Sequence, residues 1–340
     1  MKTILEHITE LPRNTWDYYL GIDSNNKLKN PFSENITHRN FIRQYFKRGG
    51  KTKVLKDIGV NIDKLRYPNH INSVFFLGLL VYNNTDMNQK YVLGKNIPGY
   101  NTFPFIWFLT TLFHDHAYQI EGNKRLVKRN NSLKKLIENY NVEHHLLEND
   151  FRDFPKDLID SCANYFEYRV KVWEKIDHGI FAGIILYDRL VKIRRSNYKS
   201  WDETLFWGEE LEEQYKLAAI AIATHNIWLP AKDTYETYRT NGLEKLITFK
   251  PIKFEDFQLL YILGIIDTMD PIKTFQEDGF SDIEILDNLI MEFNPNSIVF
   301  AIKKRSKLNF KKLIDKAVNF EGWLDVDIKS TNCRLEINFK

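Results

Sequence analysis

A chain of 340 residues is long enough for about two domains and a sizeable buried core. With 43% hydrophobic and 27% charged residues, among them 24 Phe, 17 Tyr and 7 Trp, it carries too many core-forming side chains to be disordered. The formal charge of +3 is too small to select nucleic acid or an anionic membrane as partner, and two cysteines, Cys162 and Cys333, exclude a disulfide framework and a cysteine-based zinc site.

Residues 1–60 are rich in Asn, Lys and Arg and read as a peripheral segment, with one short helix from His38 to Lys47 ahead of the Gly49-Gly50 break. Met1 to Trp16 has no continuous apolar run and does not read as a signal peptide. No apolar stretch reaches the roughly 20 residues of a membrane span. With the cysteine usage, this predicts a cytoplasmic protein without a membrane partner. Gly50-Lys51-Thr52 lacks the first glycine of a phosphate loop, since Tyr45 stands five residues before Gly50.

Residues 61–275 are predicted to form a helical body. His70 to Tyr82 (HINSVFFLGLLVY) and Pro104 to Phe113 (PFIWFLTTLF) are apolar almost all round, as buried helices are. Further helices are expected at Ile176 to Ile193, Gln214 to His225 and Asp256 to Asp267. Residues 276–340 change character. Ile285 to Phe293 and Ser297 to Lys303 flank an Asn294-Pro295-Asn296 turn, Asn309 to Asn319 is an amphipathic helix, and Trp323 to Ile328 pairs with Arg334 to Phe339. The expected fold is therefore mainly α, with a small ββαββ domain of α+β type at the C-terminus.

Four of the nine histidines, His70, His114, His178 and His225, sit in or at the ends of the most apolar helices, and Asp115 and Asp267 share that placement. A buried carboxylate needs a cation, a donor or a metal. No Lys or Arg lies within a helical turn before Asp115 or next to Asp267 in sequence, which points to a metal. A lone histidine on an apolar helix is more often a core residue than a ligand, but six such groups in one chain favour a site. Imidazole and carboxylate without thiolate suit Mn, Fe, Zn, Ni or Mg.

The order His70, His114-Asp115, His178, His225, Asp267 resembles that of the HD-domain metal-dependent phosphohydrolases: one His, an adjacent His-Asp pair, and a distant Asp closing a later helix. His114-Asp115-His116-Ala117-Tyr118 is similar to the family's His-Asp segment, with Ala117 where glycine is usual. Asp177-His178-Gly179 and Ala223-Thr224-His225-Asn226 are similar to the segments that supply a second metal in binuclear members. The resemblance spans roughly residues 61 to 275. It implies an HD-type helical bundle in which His70, His114, Asp115 and Asp267 hold one divalent metal ion, while Asp115 bridges to a second held by His178 and His225. It also implies hydrolysis of a nucleotide or phosphodiester by a metal-activated water, with Asp115 catalytic. Arg66, one turn before His70, is a phosphate-binding candidate, and Tyr118 stands where some relatives place a lysine. His116 is expected to point away from the site. The basic run Lys124, Arg125, Lys128, Arg129 reads as a solvated face or as a track for a phosphate backbone. Two alternatives stay open: an HD-type nuclease acting on single-stranded DNA or RNA, and a noncatalytic nucleotide or nucleic-acid binding protein on the same scaffold. The C-terminal domain is expected to serve substrate selection or homo-oligomer formation.

Overall fold

A computed structural model describes residues 1–18, 28–48, 61–65, 67–91, 101–151, 154–197 and 208–340. The chain is mainly helical, with one four-stranded antiparallel sheet at its C-terminus. In chain order the principal elements are α1 (Ile4–Glu10), α2 (His38–Arg48), α3 (Pro68–Asn84), α4 (Thr102–Phe113), α5 (Lys156–Trp173), α6 (His178–Asn197), α7 (Glu210–Thr224), α8 (Gln258–Met269), α9 (Pro271–Phe275), α10 (Asp282–Asn288), β1 (Leu289–Asn294), β2 (Ser297–Ile302), α11 (Lys311–Ala317), β3 (Val326–Thr331) and β4 (Arg334–Phe339). Among the described residues no helix is long and apolar enough to cross a membrane.

Two compact units divide the chain. One comprises Met1–Thr52, Asn61–Phe108 and Lys253–Lys340; the other comprises Lys53–Val60 and Leu109–Ile252. These bounds differ from the sequence-based division into 1–60, 61–275 and 276–340.

The first unit is built around α3, whose residues from His70 to Val81 are all buried. Gly78 is required there: a Cβ would lie 2.3 Å from the Trp107 ring, and Trp107 Nε1 donates to Phe75 O at 2.9 Å. Phe41, Tyr45, Phe75, Phe76 and Phe108 fill the surrounding core, with Tyr45 stacked on Phe108 at 3.9 Å. The ββαββ segment closes this same unit. Its strand order is β1-β2-β4-β3, with Ile298 opposite Ile337 and Phe300 opposite Leu335, all four buried. The N-terminus lies along β1 through the Thr3–Ile290 bridge and a bond from Met291 N to Lys2 O. The tail and the N-terminal residues thus pack together within this unit. One predicted boundary moves. Ile285 to Asn288 is helical, because Ser281 and Glu284 form a reciprocal capping box that starts α10, and the strand begins only at Leu289.

The second unit contains α5, α6 and α7. The helix α5, 18 residues long, went unread in the sequence because charged and polar residues interrupt its apolar face. The helix α7 begins at Glu210 and α6 at His178, close to the predicted starts.

Candidate metal centre

Two histidines of the second unit meet because small residues let their helices approach. A Cβ at Gly183 of α6 would lie 2.4 Å from Ala219 O and 2.9 Å from Ala223 Cβ on α7; one at Gly179 would lie 2.7 Å from Ile222 O and 3.0 Å from the His225 ring. With no side chain at either position, His178 at the start of α6 and His225 just past α7 sit with ring centroids 5.2 Å apart. His114 and Asp115 follow the end of α4, where the backbone leaves the helix and turns into a 3-10 turn at His116–Ile120. That break lets two consecutive side chains converge. The His114 ring centroid is 5.5 Å from that of His225.

Asp115 lies among the three rings. Its Oδ1 is 3.4 Å from His178 Nε2 and 4.0 Å from His225 Nε2, and its Oδ2 is 3.6 Å from His114 Nε2. The opposite nitrogen of each ring is occupied. His114 Nδ1 donates to Thr111 O at 2.8 Å, His225 Nδ1 donates to Ile222 O at 2.7 Å, and His178 Nδ1 faces Glu121 Oε1 at 3.5 Å. A carbonyl oxygen only accepts, so in His114 and His225 the proton of the neutral ring belongs on Nδ1 and the Nε2 lone pair turns toward Asp115, whereas His178, with an accepting carboxylate at each nitrogen, would have to give up the proton on Nε2 to bind a metal. Second partners of this kind orient metal-ligating histidines. His178 Nε2 is buried and, among the described residues, makes no well-formed hydrogen bond, Asp115 Oδ1 being the carboxylate that faces it. One ligand atom from each of Asp115, His178 and His225 lies within 4.8 Å of the others, so this group could hold a metal ion. An N/O donor set with a buried orphan nitrogen fits a divalent transition metal.

The pKa directions follow from burial and charge. Burial lowers that of His178, but the Asp115 and Glu121 carboxylates outweigh it and raise the ring to about 9. His225 is pushed down to about 3 by burial, then by the neighbouring His178 and His114. Glu121 is lowered: burial opposes ionisation, but His178 and Arg169 prevail.

Behind His178 stands a charge network that the sequence did not reveal. Arg169 of α5 is buried and paired with Glu121, and its Nη1 lies 4.0 Å from Asp177 Oδ2. Asp177, wholly buried, accepts from Ile180 N at 2.8 Å, capping the start of α6, and from Asn226 Nδ2 at 2.9 Å. An Asp one residue before a helix start is a capping signal that the sequence reading did not use for Asp177; nothing local signalled Arg169 or Glu121.

In the first unit, His70 is buried between two carboxylates. Its Nδ1 donates to Asp270 Oδ2 at 2.7 Å, and its Nε2 faces Asp267 Oδ1 at 3.2 Å. Burial lowers its pKa, but bonds to Asp267 and Asp270 raise it to about 9. The two acids differ in role. Asp270 is fully buried, binds Ser73 Oγ, and caps α9 by accepting from Lys273 N at 2.9 Å, with Pro271 at the first helical position. Asp267 is half-buried and, contrary to the sequence expectation, has a cation: Lys273 Nζ lies 3.0 Å from its Oδ1. Asp115 is likewise half-buried, so neither acid is the fully enclosed carboxylate expected from sequence. Among the described residues the wholly buried acids are Asp177, Asp188 and Asp270.

The remaining site expectations divide. Tyr118 is exposed at 46% and lies edge-on to His178, with ring centroids 5.4 Å apart. His116 packs edge-on against Phe113 at 5.8 Å, and burial pushes its pKa down to about 4. Lys124, Arg125, Lys128 and Arg129 are all exposed on the short helix Lys124–Arg129. Arg66 and the Gly50-Lys51-Thr52 triplet lie outside the described residues. No protein-family model, curated protein or solved structure matches the chain.

Proposed function

We propose that the chain is a metal-dependent phosphohydrolase of the HD type, acting on a nucleotide or phosphodiester. The observation that supports it most is the orientation of three imidazoles, His114, His178 and His225, whose Nδ1 atoms are engaged elsewhere and whose Nε2 atoms face the Asp115 carboxylate. His178, His225 and Asp115 would hold one divalent ion, and Asp115 with His114 would contribute to a second. The family's ligand order would assign His70 and Asp267 to the second ion as well. Bound there, such ions acidify a water and polarise phosphoryl oxygens, the chemistry that phosphoester hydrolysis needs. The protein's own contribution is to fix each ring through its Nδ1 partner and to keep Asp115 available to more than one ligand position. Tyr118, exposed beside His178, offers a phenol to the substrate side, and Arg66 is the proposed phosphate-binding cation.

The test is elemental analysis of the chain after Mn, Fe, Zn, Ni and Mg are each offered, together with hydrolysis of a nucleotide and phosphodiester panel. Bound metal and turnover are expected in the native chain, and both should vanish in Asp115→Ala. Turnover that survives in Asp115→Ala overturns the proposal.

A further inference from the structure

The C-terminal helix α11 brings a cation to α9, the helix that follows Asp267. α11 packs on α8 and α9 with Leu313 and Ala317 buried, which leaves Lys312 and Lys316, one helical turn apart, on a shared flank. Three lysines then surround α9. Lys273 pairs with Asp267 at 3.0 Å, and Lys312 pairs with Asp278. Lys316 has no carboxylate partner among the described residues; its Nζ donates to Thr274 Oγ1 at 2.9 Å, and Thr274 is the next residue after Lys273.

That placement is unfavourable for a lysine with no ligand. Its stem is flexible enough to carry the ammonium out to water, as long cationic side chains ordinarily do. Lys316 instead stays half-buried against a hydroxyl. Burial lowers its pKa, as does the like charge of Lys273; Asp270 and Asp267 oppose these effects without forming an ion pair. A partly desolvated ammonium with spare donors, set beside a second ammonium, is stabilised when an anion completes its shell.

We propose that Lys316 and Lys273 form an anion subsite beside Asp267 that receives a phosphate group of the substrate. This rests on the proposed function for the identity of the ligand, and it gives the ββαββ segment a task in substrate binding. Lys316 contributes a charge that pairs with no carboxylate among the described residues, and Thr274 holds its ammonium in place.

The experiment uses the full chain in metal-free form, so that a phosphate bound by metal does not contribute. Calorimetric titration with inorganic phosphate and with pyrophosphate is expected to show binding. The affinity should fall about 10-fold or more in Lys316→Met and return in Lys316→Arg, as loss and recovery of a charge-assisted bond require. Lys312→Met, whose partner is Asp278, should leave it unchanged. If Lys316→Met fails to fold by circular dichroism, Lys316→Gln, which keeps a donor for Thr274, is read in the same way. No phosphate binding by the native chain, or equal binding by folded Lys316 variants, overturns the proposal. The two readings fail separately: a chain that takes up no metal but binds phosphate through Lys316 refutes the metal centre and leaves the anion subsite standing.

Discussion

His178 faces Asp115 through one ring nitrogen and Glu121 through the other, at 3.4 Å from Asp115 Oδ1 and 3.5 Å from Glu121 Oε1. A carboxylate on each side of a buried imidazole gives the ring an acceptor behind it and an acidic partner in front. Glu121 is in turn held by Arg169, so a residue on α5 controls the direction of a ring on α6.

Glu121→Gln is expected to weaken metal binding at the His178 group by about 10- to 100-fold, the usual effect of losing an outer-shell partner. An amide can turn its NH2 toward Nδ1 and favour the wrong tautomer. Arg169→Met is expected to act mainly on stability, by about 3–5 kcal/mol, because it leaves Glu121 and the buried Asp177 without their cation. Metal titrations and urea unfolding of both variants separate these effects. Unchanged metal affinity in a folded Glu121→Gln chain would sink the positioning role.

Asp267 and Asp270, three residues apart, are expected to respond in opposite ways. Asp270→Ala removes the buried partner of His70 and Ser73 and the cap of α9, and should cost about 3–5 kcal/mol. Asp267→Ala removes a half-buried acid that pairs with exposed Lys273 and faces His70, but His70 keeps its buried partner Asp270, so the loss should be smaller, about 1–2 kcal/mol, while metal uptake is impaired. Urea unfolding of the metal-free variants, followed by elemental analysis, checks both. A large stability loss in Asp267→Ala would reassign it as a structural acid.

The histidines predict how the metal-free chain responds to pH. His70 and His178, raised to about 9, hold more protons in the folded than in the unfolded chain above the ordinary histidine value of about 6.5. Their stabilising contribution is complete below that value and is lost as pH rises through 9. His225 and His116, lowered to about 3 and about 4, act with the opposite sign, and stability falls as pH drops below 6.5. For these four groups the melting temperature in chelator should peak near pH 6.5, while metal affinity, which requires neutral rings, should rise from pH 6.5 to 9. Melting scans against pH and metal titrations in buffers of different ionisation enthalpy test this. A melting temperature that climbs steadily from 6.5 to 9 would contradict it.

Much of the helical scaffold was legible because its apolar runs are long and bounded. The runs at His70 to Tyr82 and Pro104 to Phe113 became α3 and α4, and the alternation of Leu335, Ile337 and Phe339 became β4. The candidate ligands were legible for a similar reason, since a histidine or aspartate stands out against an apolar helix. The helix α5 escaped because its buried positions are interrupted by charges, and Arg169 escaped with it.

By itself, then, the sequence determined the helical class, the ββαββ order of the tail and the ordered set of imidazoles and carboxylates. Tertiary structure alone decided which nitrogen of each ring faces Asp115, that Asp270 supports His70 while Asp267 faces it, and that Lys273 lies against Asp267. The physical reason is range. Hydrophobic periodicity is written in neighbouring residues, whereas a ring's orientation depends on acceptors up to 200 positions away, as with His70 and Asp270, brought close only by the packing of whole helices.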